Sequence, residues 1–181
     1  LEAGLVDAGS LVASCASGTS GAGRSAKVNL LLTESAETMK SYGVAGHRHL
    51  PEMEQGLARM TKDPVSLTFV PHLAPMVRGI HATLIATLTD QSTNLRAVFT
   101  DRYADEPFIT LTEGEYEPET RHVKGTNRCE MDVTRPPGDK VVVTVAIDNL
   151  VKGAAGQAIQ AMNLMLSLDE CTGLNIPSSH P

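Results

Sequence analysis

Between Tyr42 and Glu52 the chain reads Tyr-Gly-Val-Ala-Gly-His-Arg-His-Leu-Pro-Glu, two imidazoles around one guanidinium. Arg48 between His47 and His49 is what a site for an anionic substrate with proton transfer would need. Pro51 fits the first turn of a helix, where its missing N–H has no partner to lose. Leu50, Met53, Leu57 and Met60 recur at helical spacing, so a helix over Pro51–Met60 is expected. Gly43 and Gly46 free the backbone to bring both imidazoles to that helix's N-terminus, whose partial positive charge keeps a nearby imidazole neutral. Two other readings stay open. A histidine pair at a loop-to-helix junction is often a solvated surface feature. Histidines two apart in an extended segment can share a metal ion, but neither the local sequence nor the cysteine spacing supplies a third ligand, so no metal is expected.

The elements that must position these groups can be read from the rest of the chain. Ser10 to Ala16 is a short β-capable run ahead of Ser17-Gly18-Thr19-Ser20-Gly21-Ala22-Gly23-Arg24, a loop able to turn amides and hydroxyls toward an anion. It is not a Walker loop, because no Gly-Lys-Ser/Thr follows. Lys27 to Ser41 is apolar at Val28, Leu30, Leu31 and Leu32, then polar and expected to be helical toward Met39. Val65 to Val70 reads as a strand. Residues 71–79 are too proline-rich for regular structure and place Arg78 on a constrained turn. Ile80 to Leu88 alternates as a strand, and Ser92 to Tyr103 fits a helix capped by Ser92. Phe108–Leu111, His122–Lys124 and Cys129–Val133 read as strands. Pro136-Pro137-Gly138-Asp139 is a turn before Lys140–Ile147, the most β-branched run in the chain. A last helix follows Asp148, with Ala155, Ala158, Ile159, Met162 and Met165 as its core-facing stripe. The fold class expected is α+β, a mixed sheet covered by helices on one face.

The 181 residues suffice for one domain with its own core, built without tryptophan from Val, Leu, Ile, Ala and Met. A net charge of −6 argues against a nucleic-acid surface. Cys15, Cys129 and Cys171 fit neither a disulfide framework nor a zinc pattern, which points to a reducing, cytoplasmic setting. No apolar run reaches membrane-spanning length and no signal peptide is seen, so no membrane partner is expected. Leu1 to Leu5 reads as the last turn of a helix already under way, with Gly4 as its stop.

Several stretches together resemble N-acetyl-γ-glutamyl-phosphate reductase, the arginine-biosynthesis relative of aspartate-semialdehyde dehydrogenase. They are 17–24, 42–52, Pro71-His72-Leu73 with Pro75-Met76 and Arg78-Gly79-Ile80, Gly125-Thr126-Asn127, and 148–164. The resemblance implies a fold like the C-terminal domain of glyceraldehyde-3-phosphate-dehydrogenase-type enzymes, with long strands building a homo-oligomer (dimer or tetramer). Residues 1–147 would be the substrate-binding and dimerisation unit, and 148–181 a C-terminal helix returning to a cofactor domain. It also implies a reaction: a cysteine thiolate attacks the acyl phosphate, phosphate leaves, NADPH gives hydride to the thioester, and the semialdehyde is released.

By the same resemblance His47 is the acid/base group, and His49 and Glu52 are substrate-binding neighbours. Ser17 and Gly18, with Gly153 and Gln157, would face the NADP cofactor. Arg48 and Arg24 are anion contacts on the ground of charge and position. The family's nucleophile lies in an Asn-Pro-Gly-Cys-Tyr segment that is not found here, and Ser14-Cys15-Ala16 stands where Asp-x-Lys is usual. The chain alone is therefore expected to be an inactive part of an oxidoreductase. The rivals are a non-catalytic oligomerisation module of the same fold and a metal hydrolase using the two histidines.

Overall fold

The structure is a computed structural model that describes residues 1–25 and 27–178, apart from the Leu32 side chain. Seven strands form one mixed sheet: β1 (Leu11–Ser17), β2 (Lys40–Ser41), β3 (Leu67–Leu73), β4 (Ile80–Thr87), β5 (Ile109–Leu111), β6 (Cys129–Thr134) and β7 (Lys140–Ile147). Their order is β2-β3-β1-β4-β7-β6-β5. β1 and β3 run parallel, as do β5 and β6, and the other neighbours are antiparallel. The helices are α1 (Leu32–Ser35), α2 (Leu50–Leu57), α3 (Leu95–Arg102), α4 (Thr120–Val123) and α5 (Gly156–Met165).

The apolar core sits where Leu95 of α3 meets Ala86, Leu88 and Val141, with Leu5, Val6, Leu11, Val133 and Val143 around them. Toward the middle of the sheet the cover thins. Val12, Ile85 and Val142 are cross-strand neighbours on one face and stay half-buried. In the adjoining row, Leu84 between Ala13 and Val143 is 37 % exposed.

Five expectations need correction. β3 continues through Pro71, His72 and Leu73, although prolines were expected to end it. The Pro71 carbonyl accepts the Tyr42 N–H at 3.0 Å, so its ring nitrogen faces β2, a two-residue edge, and the long pairing with β1 loses no donor. Thr120–Val123 form a short helix where a strand over His122–Lys124 was expected: the Val123 carbonyl accepts Thr126 N–H at 3.0 Å and Thr126 Oγ1–H at 2.8 Å, which closes a turn.

The cap of α3 is Asn94, whose side chain accepts the Ala97 N–H at 3.2 Å; Ser92 instead binds Asp90. Helix between Lys27 and Met39 amounts to a 3-10 turn at Val28–Leu30 and the four residues of α1, and Lys40 is already β2. The first five residues hold a single turn, Gly4 N–H to Leu1 O at 2.8 Å, with Gly4 in the left-handed region. The tail past 178 lies outside the described residues.

The fifth correction concerns α5. Its buried side is polar: Gln160 is 7 % exposed and Asn163 1 %, while Met162 is 48 % and Met165 84 % exposed. The stripe read as core faces outward. What holds the helix down is hydrogen bonding: Asn163 Nδ2 donates to the carbonyls of Glu170 and Thr172 at 3.1 and 3.0 Å, and Asn127 Nδ2 to Gln160 Oε1 at 2.9 Å. A π-helical turn, Val151–Ala155, leads into α5, and Gly156 is needed there because a side chain would collide with Asn127 and Val151.

Candidate active site

His47 and His49 lie in a turn, not in an extended segment. Gly46 N–H reaches Gly43 O at 3.1 Å, and Leu50 N–H reaches His47 O at 3.0 Å, so the chain winds directly into α2. Pro51 occupies the first turn as the sequence requires. His49 stands at the N-cap position, but its side chain makes no capping bond. Its backbone N–H donates to His47 Nδ1 at 3.2 Å instead. The two rings meet edge-on at 5.1 Å. The hydrogen bond engages only Nδ1 of His47. Among the described residues no three His, Cys, Asp or Glu are placed to hold a metal.

The His47 ring also meets Phe69 of β3 at 5.2 Å and Tyr42 at 5.6 Å, both edge-on. Burial lowers its pKa, helped by the charges of His49 and Arg48. The direction is the one read from the sequence, and its leading cause is loss of water. Arg48 and Glu52 are exposed on the same turn and first helical turn. Neither Arg48 nor Arg24 forms an ion pair among the described residues, so both guanidinium groups are available to an anion.

The Ser17–Arg24 loop behaves differently from its expected role. A 3-10 turn, Thr19–Ala22, directs the N–H groups of Gly18, Thr19 and Ser20 to the carbonyls of Gly79, Met76 and Val77 at 2.9, 2.9 and 3.1 Å. Those amides are occupied and cannot cradle a phosphate. Gly18 is buried, and a Cβ there would come within 2.7 Å of Val77 O. A cavity of about 210 Å³ lies beside this loop, lined by Thr19, Ser20, Lys27, Leu30, Leu31 and Val77; His47 is not part of its wall.

Sequence reasoning missed the group that ties this loop to the end of β7. Asp148 is fully buried and meets Arg78 Nη2 at 2.8 Å. It also accepts N–H bonds from Gly125 at 2.7 Å, Leu150 at 2.8 Å and Val151 at 3.1 Å. Burial alone would raise its pKa, but these donors and Arg78 together outweigh it and hold the carboxyl below its ordinary value. Asn149 accepts the Gly79 N–H at 2.7 Å and donates to Ser20 Oγ at 2.9 Å. Gly153 N–H returns to Asp148 O at 2.9 Å. The only local signal was a pair of cap-forming residues before a helix; apart from Leu150, Val151 and Gly153, the partners lie 23 to 129 positions away.

Two patches therefore share one sheet face. Ala13 pairs with Phe69, the residue that the His47 ring meets, and Cys15 and Ser17 point to the same side as Ala13 by strand alternation. Four strand residues separate the two patches by about 13 Å. At one end stand His47, His49, Arg48 and Glu52. At the other, Ser17 and Gly18 adjoin Asn149 and the exposed turn of Gly153, with Gln157 exposed one helical turn further on.

The family described as semialdehyde dehydrogenase, dimerisation domain, matches residues 1–149. N-acetyl-gamma-glutamyl-phosphate reductase of Ectopseudomonas mendocina (strain ymp) is 58 % identical over 176 residues, 97 % of this chain and 51 % of that protein. The like-named protein of Alkalilimnicola ehrlichii (strain ATCC BAA-1101 / DSM 17681 / MLHE-1) is 56 % identical over 182 residues, 100 % of this chain and 53 % of that one. The chain thus spans about half the length of the curated relatives it matches. Aspartate semialdehyde dehydrogenase II from Vibrio cholerae, complexed with ASA, superimposes with a TM-score of 0.69 at 17 % identity, covering 90 % of this chain and 56 % of that one. A probable aspartate-semialdehyde dehydrogenase from Pseudomonas aeruginosa gives 0.70 at 16 % identity, covering 89 % and 56 %. At such identities the likeness is one of fold, a mixed sheet with helices.

Proposed function

Because this chain belongs to the semialdehyde dehydrogenase dimerisation-domain family, we propose that it is the substrate-binding and dimerisation part of an NADPH-dependent reductase. That enzyme converts N-acetyl-γ-glutamyl phosphate to N-acetylglutamate semialdehyde and phosphate in arginine biosynthesis, the activity for which its relatives are named. The observation that carries the reading is His47. Its imidazole is kept neutral and pinned against Phe69, with the uncommitted Arg48 guanidinium beside it.

In this reaction a cysteine thiolate from outside the chain would displace phosphate from the acyl carbon to form a thioester; hydride, which a bound NADPH would supply, would reduce it, and cleavage of the C–S bond would release the semialdehyde and return the thiolate. His47 manages the proton beside the reacting centre, while Arg48 and Arg24 neutralise substrate charge and His49 and Glu52 line the approach. Gly153 and Gln157 fit a nicotinamide edge. The exposed Gly153–Ala155 turn carries no side chain larger than a methyl, and its glycine adjoins Asn149, which holds the Ser17–Gly18 loop.

None of the three cysteines suits the nucleophile. Burial pushes Cys129 up to about 11, burial also raises Cys15, and Cys171 lies in a turn after α5. The exposed apolar side of α5 supports a role for 148–181 as the segment that packs on the cofactor domain of the complete enzyme. The half-covered sheet centre supports a homo-oligomer. No helix among the described residues is long and apolar enough to cross a membrane.

The test is an assay of phosphate-dependent oxidation of N-acetylglutamate semialdehyde with NADP. The complete protein turns over and the 181-residue chain alone does not. An inactive complete protein, or an active isolated chain, contradicts the reading.

A further inference from the structure

We propose that Asn127 and Lys152 are positioning residues that hold the Val151–Ala155 turn in its π form, so that Gly153 is presented to the nicotinamide. The inference rests on the reading of Gly153 as a cofactor contact and says what fixes its pose.

The turn closes on loops of five residues. Gly153 N–H reaches Asp148 O at 2.9 Å, Ala155 N–H reaches Leu150 O at 3.2 Å, and Gly156 N–H takes Val151 O. An α-helical start would close each loop one residue sooner, and π turns of this kind recur at functional sites. The extra residue makes the turn bulge: Gly153, Ala154 and Ala155 stand exposed, while Gly156 stays buried. The local sequence does not demand this, since Ala154 and Ala155 are good α-helix formers. The constraint comes from outside the turn.

Gly125-Thr126-Asn127 supplies it, with one contact from each end. Gly125, at φ +81°, donates its N–H to Asp148 Oδ2 at 2.7 Å, at the foot of the turn. Asn127, 1 % exposed, meets α5 at two residues one helical turn apart. Its Nδ2 donates to Gln160 Oε1 at 2.9 Å, and its Oδ1 occupies the space that a Gly156 side chain would need. That oxygen is buried without a hydrogen-bond partner among the described residues. Leucine would fill the same space with no polar atom left unpaired, so packing alone does not account for an asparagine. The amide fixes Gly156 and Gln160 together, and with them the residue at which α5 begins.

Lys152 locks the other side. Its Nζ turns inward, donating to the same Gln160 Oε1 at 2.6 Å and lying 5.5 Å from the centre of the Phe108 ring. Gln160 Nε2 donates in turn to Glu170 Oε1 at 2.5 Å. Asn127 and Lys152 thus converge on one side chain that is itself held. Rewinding the turn to a regular α-helix would shift it by one residue, about 100° around the axis. That would carry Lys152 off Gln160 and Gly153 off the exposed side.

NADPH binding to the complete protein, followed by nicotinamide fluorescence, tests the positioning. Asn127→Leu and Lys152→Met should each raise the NADPH Kd by about 10-fold or more, the mark of a displaced contact surface. The acyl-phosphate KM should stay within about twofold. Asn163→Ala loosens the far end of α5 and is the control for lost stability; its Kd should stay at the wild-type value. Hydrogen exchange without cofactor reads the turn itself: the amides of residues 150–157 should exchange faster in both variants than in the wild type. If Asn127→Leu does not fold, Lys152→Met, whose side chain is only half-buried, decides.

Unchanged exchange in the variants overturns the inference, because the turn then holds without these side chains. Faster exchange with an unchanged Kd overturns it too, and so does an equal rise in Kd for Asn163→Ala. A wild-type protein with no affinity for NADPH would sink the reductase reading and this inference together. A wild type that binds, with indifferent variants, removes the inference alone and leaves the reductase reading standing.

Discussion

Arg78 Nη2 lies 2.8 Å from the fully buried carboxylate of Asp148, an ion pair joining the loop before β4 to the residue that follows β7. Three backbone N–H groups share the same carboxylate. Removing it strands the arginine and leaves three donors without an acceptor. Asp148→Ala should cost about 3–5 kcal/mol, the range for breaking a buried pair from one side. Urea unfolding checks this; a loss below about 1 kcal/mol would mean that water replaces the carboxylate freely.

The same group fixes a pH dependence. Its folded pKa lies below the ordinary value, so the unfolded chain binds the proton more readily as pH falls. The stabilisation is whole above the ordinary aspartate value of about 3.9 and is lost progressively below it, toward the depressed folded value. Unfolding curves between pH 5 and 3 should therefore show a steeper acid loss for the wild type than for Asp148→Asn. Parallel curves would assign the acid loss to other carboxylates.

α5 gives a prediction that reverses the usual expectation for a helix. Asn163→Ala removes two bonds from a buried side chain to the carbonyls of Glu170 and Thr172 and should destabilise by about 1–3 kcal/mol. Met165→Ser, at a residue 84 % exposed, should change the stability of the isolated chain by less than about 0.5 kcal/mol. In the complete enzyme the methionine change should cost more, because there the face is expected to be covered. Thermal unfolding of the isolated chain and its two variants, and of the complete enzyme with and without Met165→Ser, decides it, and equal effects of Met165→Ser in both settings would leave that face solvent-exposed throughout.

What the sequence disclosed depended on whether the determining contact was local. Alternation in Ile80–Leu88 and the β-branched Lys140–Ile147 located β4 and β7, and Pro51 located α2, because each pattern records its own element's neighbours. Pro71 misled because edge geometry, not composition, decides whether a proline fits a strand. The face of α5 misled because periodicity shows that two faces differ, and not which one meets the sheet. Of the site, the His47–Glu52 turn was visible as a motif. The Asp148–Asn149 hub was not, since its partners Arg78, Gly125 and Ser20 are distant in sequence. Nothing in the motif showed that the His49 backbone N–H donates to His47 Nδ1.

Thiol chemistry separates the cysteines. Cys129 is buried with its pKa pushed up to about 11, so little thiolate exists at pH 8. Iodoacetamide should label Cys171 first and leave Cys129 unmodified until the protein unfolds. Cys15→Ala should leave turnover of the complete enzyme largely intact, because its half-buried thiol is a packing group whose pKa burial raises. Peptide mapping and a kcat comparison check both points; a kcat loss at Cys15 of a thousandfold would relocate the nucleophile.

His47 is the group on which the account stands, and steady-state kinetics of the complete enzyme test it most directly. Proton management of this kind amounts to roughly 10²–10⁴ in rate. His47→Asn should lower kcat by about that factor with little change in substrate KM, since the contact matters most in the transition state. His49→Asn keeps the backbone N–H that His47 Nδ1 receives, so it should act mainly through KM. A kcat collapse confined to His49→Asn, or equally mild effects at both positions, would contradict the account.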